Sequence, residues 1–463
     1  MSTALPMRHQ TASPNENHPR FLRLKRLRST QKASFRILLL ASLVGALAGL
    51  IGALFERLTS WVGTVRLDGI TGTLGNSWLL VPALFVASAL LAMFAYFLVR
   101  RVAPETGGSG VPEIEGALQD LRPVRWRRVL PVKFFGGLGS LGSGMVLGRE
   151  GPTIQMGANI GQMIAERFRV LDNDMRHMLL LAGGAGGLAA AFNAPLAGIL
   201  FVIEEMRPEF KYSLVSIKAV VLGSVTATIM LRLINGQAAI LQIGSFTTAS
   251  LGSLWLYLVL GLLLGGVGVI FNRSLFALQT LFQRLCGSSL LRFVLTGGVL
   301  GGCFGVLALY VPQIVGEGYD TIHEMMAGRI ALPMLALFFL LRFLTTTLSF
   351  SSGAPGGIFS PLLALGTLFG GTYGYLMLMA FPDAGLEMGA FGVAGMGALF
   401  AATVRAPLTG ILLVLEMTNS YALILPMIIT CLGATIVAQC LGGQPLYTAL
   451  LERTLAREGR PAG

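Results

Sequence analysis

The sequence predicts an all-α polytopic membrane protein made of two related halves, and three observations carry that reading. Of its 463 residues, 54% are hydrophobic and 12% are charged, where a soluble domain carries roughly 25% charged residues. Apolar runs recur at 37–54, 78–99, 214–231, 254–270, 291–309 and 421–441, near the ~20 residues needed to cross a hydrocarbon core. Finally, LAAAFNAPLAGILFVIEEM at 188–206 returns as FAATVRAPLTGILLVLEMT at 400–418.

Residues 1–36 hold Arg8, Arg20, Arg23, Lys25, Arg26, Arg28, Lys32 and Arg36 against the single acid Glu16. A nucleic-acid arm is the rival reading. Basic residues flanking the first span instead mark a cytoplasmic N-terminal segment by the positive-inside rule, and no nucleic-acid partner is expected. The first membrane repeat then runs over 37–234, a connecting segment over 235–253 and the second repeat over 254–447, with a short cytoplasmic tail at 448–463. The cluster Arg122, Arg125, Arg127, Arg128 and Lys133 marks another cytoplasmic stretch. Runs at 129–147, 178–203 and 357–380 are cut by glycine or proline. Irregular backbone at that depth is tolerated only beside protein or a watery cavity, and broken spans are where repeat-built transporters bind substrate.

The repeat is specific. At an offset of 212, Ala194, Pro195, Gly198 and Glu204 return as Ala406, Pro407, Gly410 and Glu416; at 209, Ser143, Gly148, Pro152 and Gly157 return as Ser352, Gly357, Pro361 and Gly366. Shared apolar composition would not align proline, glycine and glutamate together. GREGP at 148–152 and GIFSP at 357–361 both have the form of a glycine turn entering a helix with proline in its first turn, where the missing N–H costs nothing. The free amides and positive dipole end of such a helix attract anions. Two of them facing each other would cradle a small anion without a cationic side chain.

Features in one half only are the candidates for function. Glu204 recurs as Glu416 and reads as a cap or brace, whereas Glu205 becomes Met417, and Arg149 and Glu150 become Ile358 and Phe359. A charge at bilayer depth costs roughly 2.5–3.5 kcal/mol or more, so Glu150 needs a function or a partner. It is read as functional rather than as an ion pair with Arg149. Glu205 serves either function or a helix end beside Arg207. In GGSGVPEIEG at 107–116, Ser109 offers a hydroxyl to an anion, although GSG alone is equally a plain turn. Glu317 in VGEGYD aligns with that loop and is assigned no task.

Together, GSGVP at 108–112, GREGP, GIFSP and Tyr447 in GGQPLY closely resemble the signature loops and pore tyrosine of the CLC chloride channel and transporter family, and most of all its bacterial proton/chloride exchangers. The resemblance runs from about residue 35 to 455. It implies two inverted-topology halves of many tilted and broken helices, and a homodimer with a separate anion path in each subunit. By position it makes Ser109, Tyr447 and the backbone amides of Ile358 and Phe359 the chloride ligands. Glu150 becomes the extracellular gating glutamate and proton acceptor, and Glu205 the internal proton-transfer residue. The expected function is exchange of chloride for protons, with Glu150 competing with chloride for the helix N-termini. The alternative is an uncoupled channel of the same family, which the acid at position 205 disfavours. The expected setting is the bacterial inner membrane, with both termini cytoplasmic and the lipid bilayer as partner; no cofactor or metal is implied.

Other classes fit poorly. A cation/proton antiporter would want midplane aspartates, and none lies in an apolar run. An enzyme is not expected: there is no GxSxG elbow or Walker loop, and the HExxH pattern begun by His323 and Glu324 ends in Ala327. Cys286, Cys303, Cys431 and Cys440 lack metal-ligand spacing.

Overall fold

The structure, a computed structural model, describes residues 19–75, 77–206, 213–244 and 246–459, with side chains from residue 35 onward. The basic side chains expected to set topology before Phe35, and Arg207, lie outside the described residues. The first half runs α1 (Pro19–Thr64), which passes through a π-helical turn into α2 (Ile70–Leu74), then α3 (Leu80–Arg101), α4 (Val111–Leu118), α5 (Trp126–Gly142) and α6 (Glu150–Arg167). It closes with α7 (Asn173–Phe192), α8 (Pro195–Glu205) and α9 (Leu214–Asn235). The second half runs α10 (Leu254–Cys286), α11 (Leu290–Tyr310), α12 (Tyr319–Met326), α13 (Leu332–Ser351) and α14 (Phe359–Ala380). Then come α15 (Met388–Val404), α16 (Pro407–Thr418), α17 (Ile424–Cys440) and a last helix, α18 (Leu446–Arg457).

Among the described residues, eight helices are long and apolar enough to cross a membrane. They include the six uninterrupted runs read from the sequence and add Leu332–Ser351 and Phe359–Ala380. The second addition corrects an expectation: 357–380 is not a broken segment, because glycines 366, 370, 371 and 374 all sit inside one continuous helix. Its break lies just before it, at residues 352–358. The other two interruptions are real. After α5 the chain leaves helix until Glu150, and between α7 and α8 Asn193 adopts a left-handed conformation (φ 49°) ahead of Pro195. The second half repeats that corner at Arg405 (φ 74°) ahead of Pro407.

The halves embrace each other at this corner. The Glu204 carboxylate, at the end of α8, accepts from the amides of Leu408 (3.1 Å) and Thr409 (2.8 Å) at the start of α16. Reciprocally, Glu416 near the end of α16 accepts from Leu196 (3.0 Å) and Ala197 (2.8 Å) at the start of α8. Each glutamate satisfies the orphan donors that a helix start leaves and favours its positive dipole end. The repeated glutamate therefore braces a helix end, as its recurrence indicated.

Elsewhere the halves are sewn internally by glycine. A Cβ on Gly157 of α6 would collide with the main chain of α7 at Gly183, and one on Gly366 of α14 with that of α15 at Gly395. Gly45 of α1 lies on Gly223 of α9, and Gly261 of α10 on Thr430 of α17, in the same manner. Gly297, Gly301 and Gly305 of α11 receive Tyr96, Ala92 and Ser88 of α3, a helix contact of the small-residue kind.

Candidate functional site

Three glycine loops meet at the centre of the molecule and are tied by main-chain hydrogen bonds. The Gly148 amide donates to Gly357 O (2.8 Å) and the Gly357 amide returns a bond to Gly148 O (2.6 Å). The Gly108 amide donates to Ala354 O (3.0 Å), and Gly356 donates to Gly108 O (3.1 Å). These pairings set the starts of α6 and α14 side by side. Glycine is required here: a Cβ on Gly357 would lie 2.7 Å from the Gly151 amide nitrogen and 2.9 Å from a carboxylate oxygen of Glu150. The first-turn amides of each helix have no partner in their own helix, and the pairing of the loops brings the amide ends of α6 and α14 next to each other.

Glu150 is the first residue of α6 and is fully buried. Its carboxylate folds back over Gly148 and Gly357. It lies beside the amides of Glu150 itself and Ser360, yet neither oxygen meets hydrogen-bond geometry with any described group. Arg149 does not hold it. The guanidinium turns instead to Glu56 (2.9 Å), Glu317 (3.6 Å) and the face of Tyr319 (5.3 Å to the ring centre). Ion-pairing of Arg149 with Glu150 is thereby answered in the negative. The Tyr319 hydroxyl in turn bonds Ser360 (3.1 Å), in the first turn of α14.

Ser109 and Tyr447 come together from opposite ends of the chain. Ser109, 2% exposed, abuts Gly151, where a Cβ would stand 2.7 Å from its hydroxyl. Tyr447, fully buried near the start of α18, brings its hydroxyl near that of Ser109 without the geometry of a hydrogen bond between them. Among the described residues neither hydroxyl has a partner in hydrogen-bond geometry, and Ser109 lies against the start of α6. Ile358 is the cap residue of α14 and Phe359 its first residue. A cleft of about 400 Å³, bordered by Ser109, Glu113, Arg122, Gln279 and Arg457, leads from Ser109 to the surface between α4, α10 and α18.

Glu205 ends α8, half-buried, close enough to the Tyr447 hydroxyl to act on it electrostatically. An aromatic cluster stands between Glu205's helix and the Glu150 cradle: the Phe359 ring contacts Phe192, Phe201, Phe400 and Tyr447, with ring centres 4.7–6.2 Å away. Sequence reasoning used only the amide of Phe359 and missed this cluster.

Nor did the sequence show what Lys133 does. Grouped there with Arg122, Arg125, Arg127 and Arg128 as a cytoplasmic stretch, Lys133 is fully buried in α5 and donates to the carbonyls of Thr106 (2.9 Å) and Gly108 (2.6 Å). A lysine among glycines on an apolar helix has its cost of burial offset by those carbonyls. The offset of 209 held the clue, since Lys133 falls on Arg342, which is also fully buried and donates to Gln313 O, Val315 O (both 3.0 Å) and Gly316 O (2.8 Å). Each buried cation braces the glycine loop of its own half. One residue out of that register, at an offset of 208, Glu317 sits between Gly316 (φ 64°) and Gly318 (φ 102°) as Ser109 sits between Gly108 (φ 65°) and Gly110 (φ 86°).

The fold defines a polytopic helical membrane protein whose two halves set the glycine turns before α6 and α14 side by side in the buried interior. A sequence model of the voltage gated chloride channel family matches residues 91–439. The chain is 55% identical over 435 residues to the H(+)/Cl(-) exchange transporter ClcA of Salmonella arizonae, covering 94% of this chain and 92% of that protein. The same transporter of Salmonella schwarzengrund is 54% identical over the same length. Among solved structures, a slow cyanobacterial Cl-/H+ antiporter superposes with a TM-score of 0.88 at 41% identity, over 92% of this chain and 99% of that one. A eukaryotic CLC transporter gives 0.78 at 25%, over 91% and 74%. The chain belongs to the voltage gated chloride channel family, and its fold is the two inverted halves of tilted and broken helices found there.

Proposed function

We propose that this protein exchanges chloride for protons across a bacterial inner membrane, with Glu150 as the gate. The single observation that supports this reading best is the Glu150 carboxylate: fully buried beside helix starts, with neither oxygen in hydrogen-bond geometry with any described group. A chloride ion and an ionised carboxylate carry the same charge and compete for the same amides. Protonation removes the carboxylate's attraction to those dipole ends and frees the position for chloride. Proton and chloride binding are linked in free energy, each changing the other's affinity.

In this reading the Ser109 and Tyr447 hydroxyls and the amides of Ile358 and Phe359 hold the central chloride, and the cleft beside Ser109 is its cytoplasmic mouth. Glu205 receives protons from the cytoplasm. A water chain past the Phe359 cluster hands them to Glu150, which faces the outside. Both termini are cytoplasmic. The protein works as a homodimer with one path per subunit: α8 and α16, of 11 and 12 residues, are too short to span alone and leave Leu196 and Leu408 half-exposed for a second copy to cover. The relatives' names, H(+)/Cl(-) exchange transporter and Cl-/H+ antiporter, support the substrates.

The test is paired chloride and proton flux in proteoliposomes. An imposed chloride gradient should drive protons uphill in the opposite direction. Chloride flux without proton movement would select the uncoupled channel instead.

A further inference from the structure

Of the arginines grouped at 125–128 in the sequence, which the transport path does not absorb, the structure sets Arg127 in one cleft with Arg167 and Arg169. A cleft of about 600 Å³ between the start of α5 and the end of α6 is lined by Trp126, Arg127, Met163, Glu166, Arg167 and Arg169. Its depth relative to a bilayer follows from Arg36, whose guanidinium donates to Phe168 O (2.6 Å) beside the cleft. That bond levels the end of α6 with the point where α1 turns apolar, and from there Phe35 (65% exposed), Leu39 (57%) and Leu43 (39%) form an outward stripe at four-residue spacing. The cleft therefore lies at the boundary between headgroups and hydrocarbon. Phe168 and Leu171, both exposed, and Trp126, half-buried, are the residue types that favour this depth.

Its charge is unbalanced. Arg125, Arg127, Arg167 and Arg169 are exposed, and among the described residues none of them forms an ion pair. The one acid in the lining, Glu166, accepts from Trp126 Nε1 (2.7 Å) and Gln162 Nε2 (3.0 Å). Arg127 is further held over the Trp126 ring, 5.3 Å from its centre. Guanidiniums without an ion-pair partner present forked donors that match phosphate oxygens, and Met163 supplies an apolar wall. Basic pockets between spans at this level suit anionic lipid headgroups.

We propose that this cleft is a binding site for one anionic phospholipid, with its phosphate on Arg127, Arg167 and Arg169 and its chains running into the bilayer. The site rests on the chain spanning a membrane and is independent of what it transports. The test uses the full-length protein in vesicles of phosphatidylcholine with or without phosphatidylglycerol, followed by native mass spectrometry of lipid retained after extraction. The triple substitution Arg127→Gln, Arg167→Gln, Arg169→Gln should lower phosphatidylglycerol retention by on the order of a hundredfold, at about fivefold per charge, while triple replacement by lysine should keep most of it. Wild-type elution volume in each variant shows that the fold is intact. The control pair Arg284→Gln, Arg292→Gln, exposed at the α10–α11 turn, should retain lipid. Undiminished retention in the triple glutamine variant overturns the site, as does an equal fall in the control, since general surface charge then suffices. Displacement of the lipid by inorganic phosphate or by a short oligonucleotide also overturns it, by assigning the arginines to a soluble ligand.

Discussion

The loops at 108–112 and 316–320 share a backbone and differ in what they offer. Both run glycine, polar residue, glycine with positive φ at the glycines, both enter an eight-residue helix, and both rest on a buried cation, Lys133 or Arg342. Between its glycines the first holds Ser109, a neutral hydroxyl with no partner in hydrogen-bond geometry among the described residues. The second holds Glu317, whose charge is engaged by Arg149. Duplication supplied a frame good for positioning one side chain at a helix start. The two halves then used it for different ends, an uncharged side chain in one and a charge-paired side chain in the other. An ion held by a neutral hydroxyl and backbone amides can leave quickly. A fixed guanidinium in Ser109's place would hold it too long.

The comparison is broken most severely at Glu150, the residue that the second half replaces with Phe359. Glu150→Gln should reduce proton transport by on the order of a hundredfold or more, the scale of losing a positioned proton carrier, while chloride flux continues; proton pumping that survived in vesicles would remove Glu150 from its role. Glu205→Gln, the other acid without a counterpart, should cut proton flux by about tenfold to a hundredfold, a typical span for a coupling free energy. Chloride binding measured by calorimetry should stay at the wild-type level in that variant. Glu317→Gln tests the charge pair: Arg149 keeps Glu56, so the loss is partial, about 2 kcal/mol of stability, read as a lower thermal midpoint with chloride affinity unchanged. A fall in affinity of the same size as in a Ser109 variant would make the two loops equivalent after all. Tyr447→Phe sharpens the neutral side, since losing one hydroxyl donor to an anion should weaken chloride binding about tenfold. Unchanged binding would exclude the hydroxyl as a ligand.

Much of this was legible in the sequence, for identifiable reasons. The repeat aligned Glu204 with Glu416, and the reciprocal capping follows because a helix end and a helix start related by the same offset must find each other. The glycine turns before Glu150 and Phe359 were readable because glycine and proline punctuate local structure strongly. What escaped was long-range. Nothing within a window around Arg149 indicates that Glu56 and Glu317, from distant parts of the chain, converge on it. Lys133 looked like its exposed neighbours because burial depends on what packs over α5. The Phe359 cluster draws on residues 192, 201, 400 and 447, which only the assembled fold brings together.

The glycine crossings limit how this molecule can move. Where Gly157 meets Gly183 and Gly366 meets Gly395, main chain touches main chain with no side chain between them to deform, so α6 and α7, like α14 and α15, shift together or not at all. In the proposed exchange, a carboxylate and a phenol would swing beside these paired helices, a turnstile rather than a pair of rocking walls. Cysteines paired across α6 and α7 and then oxidised should leave exchange running at its normal rate. A locked protein that stops would show that the frame itself travels.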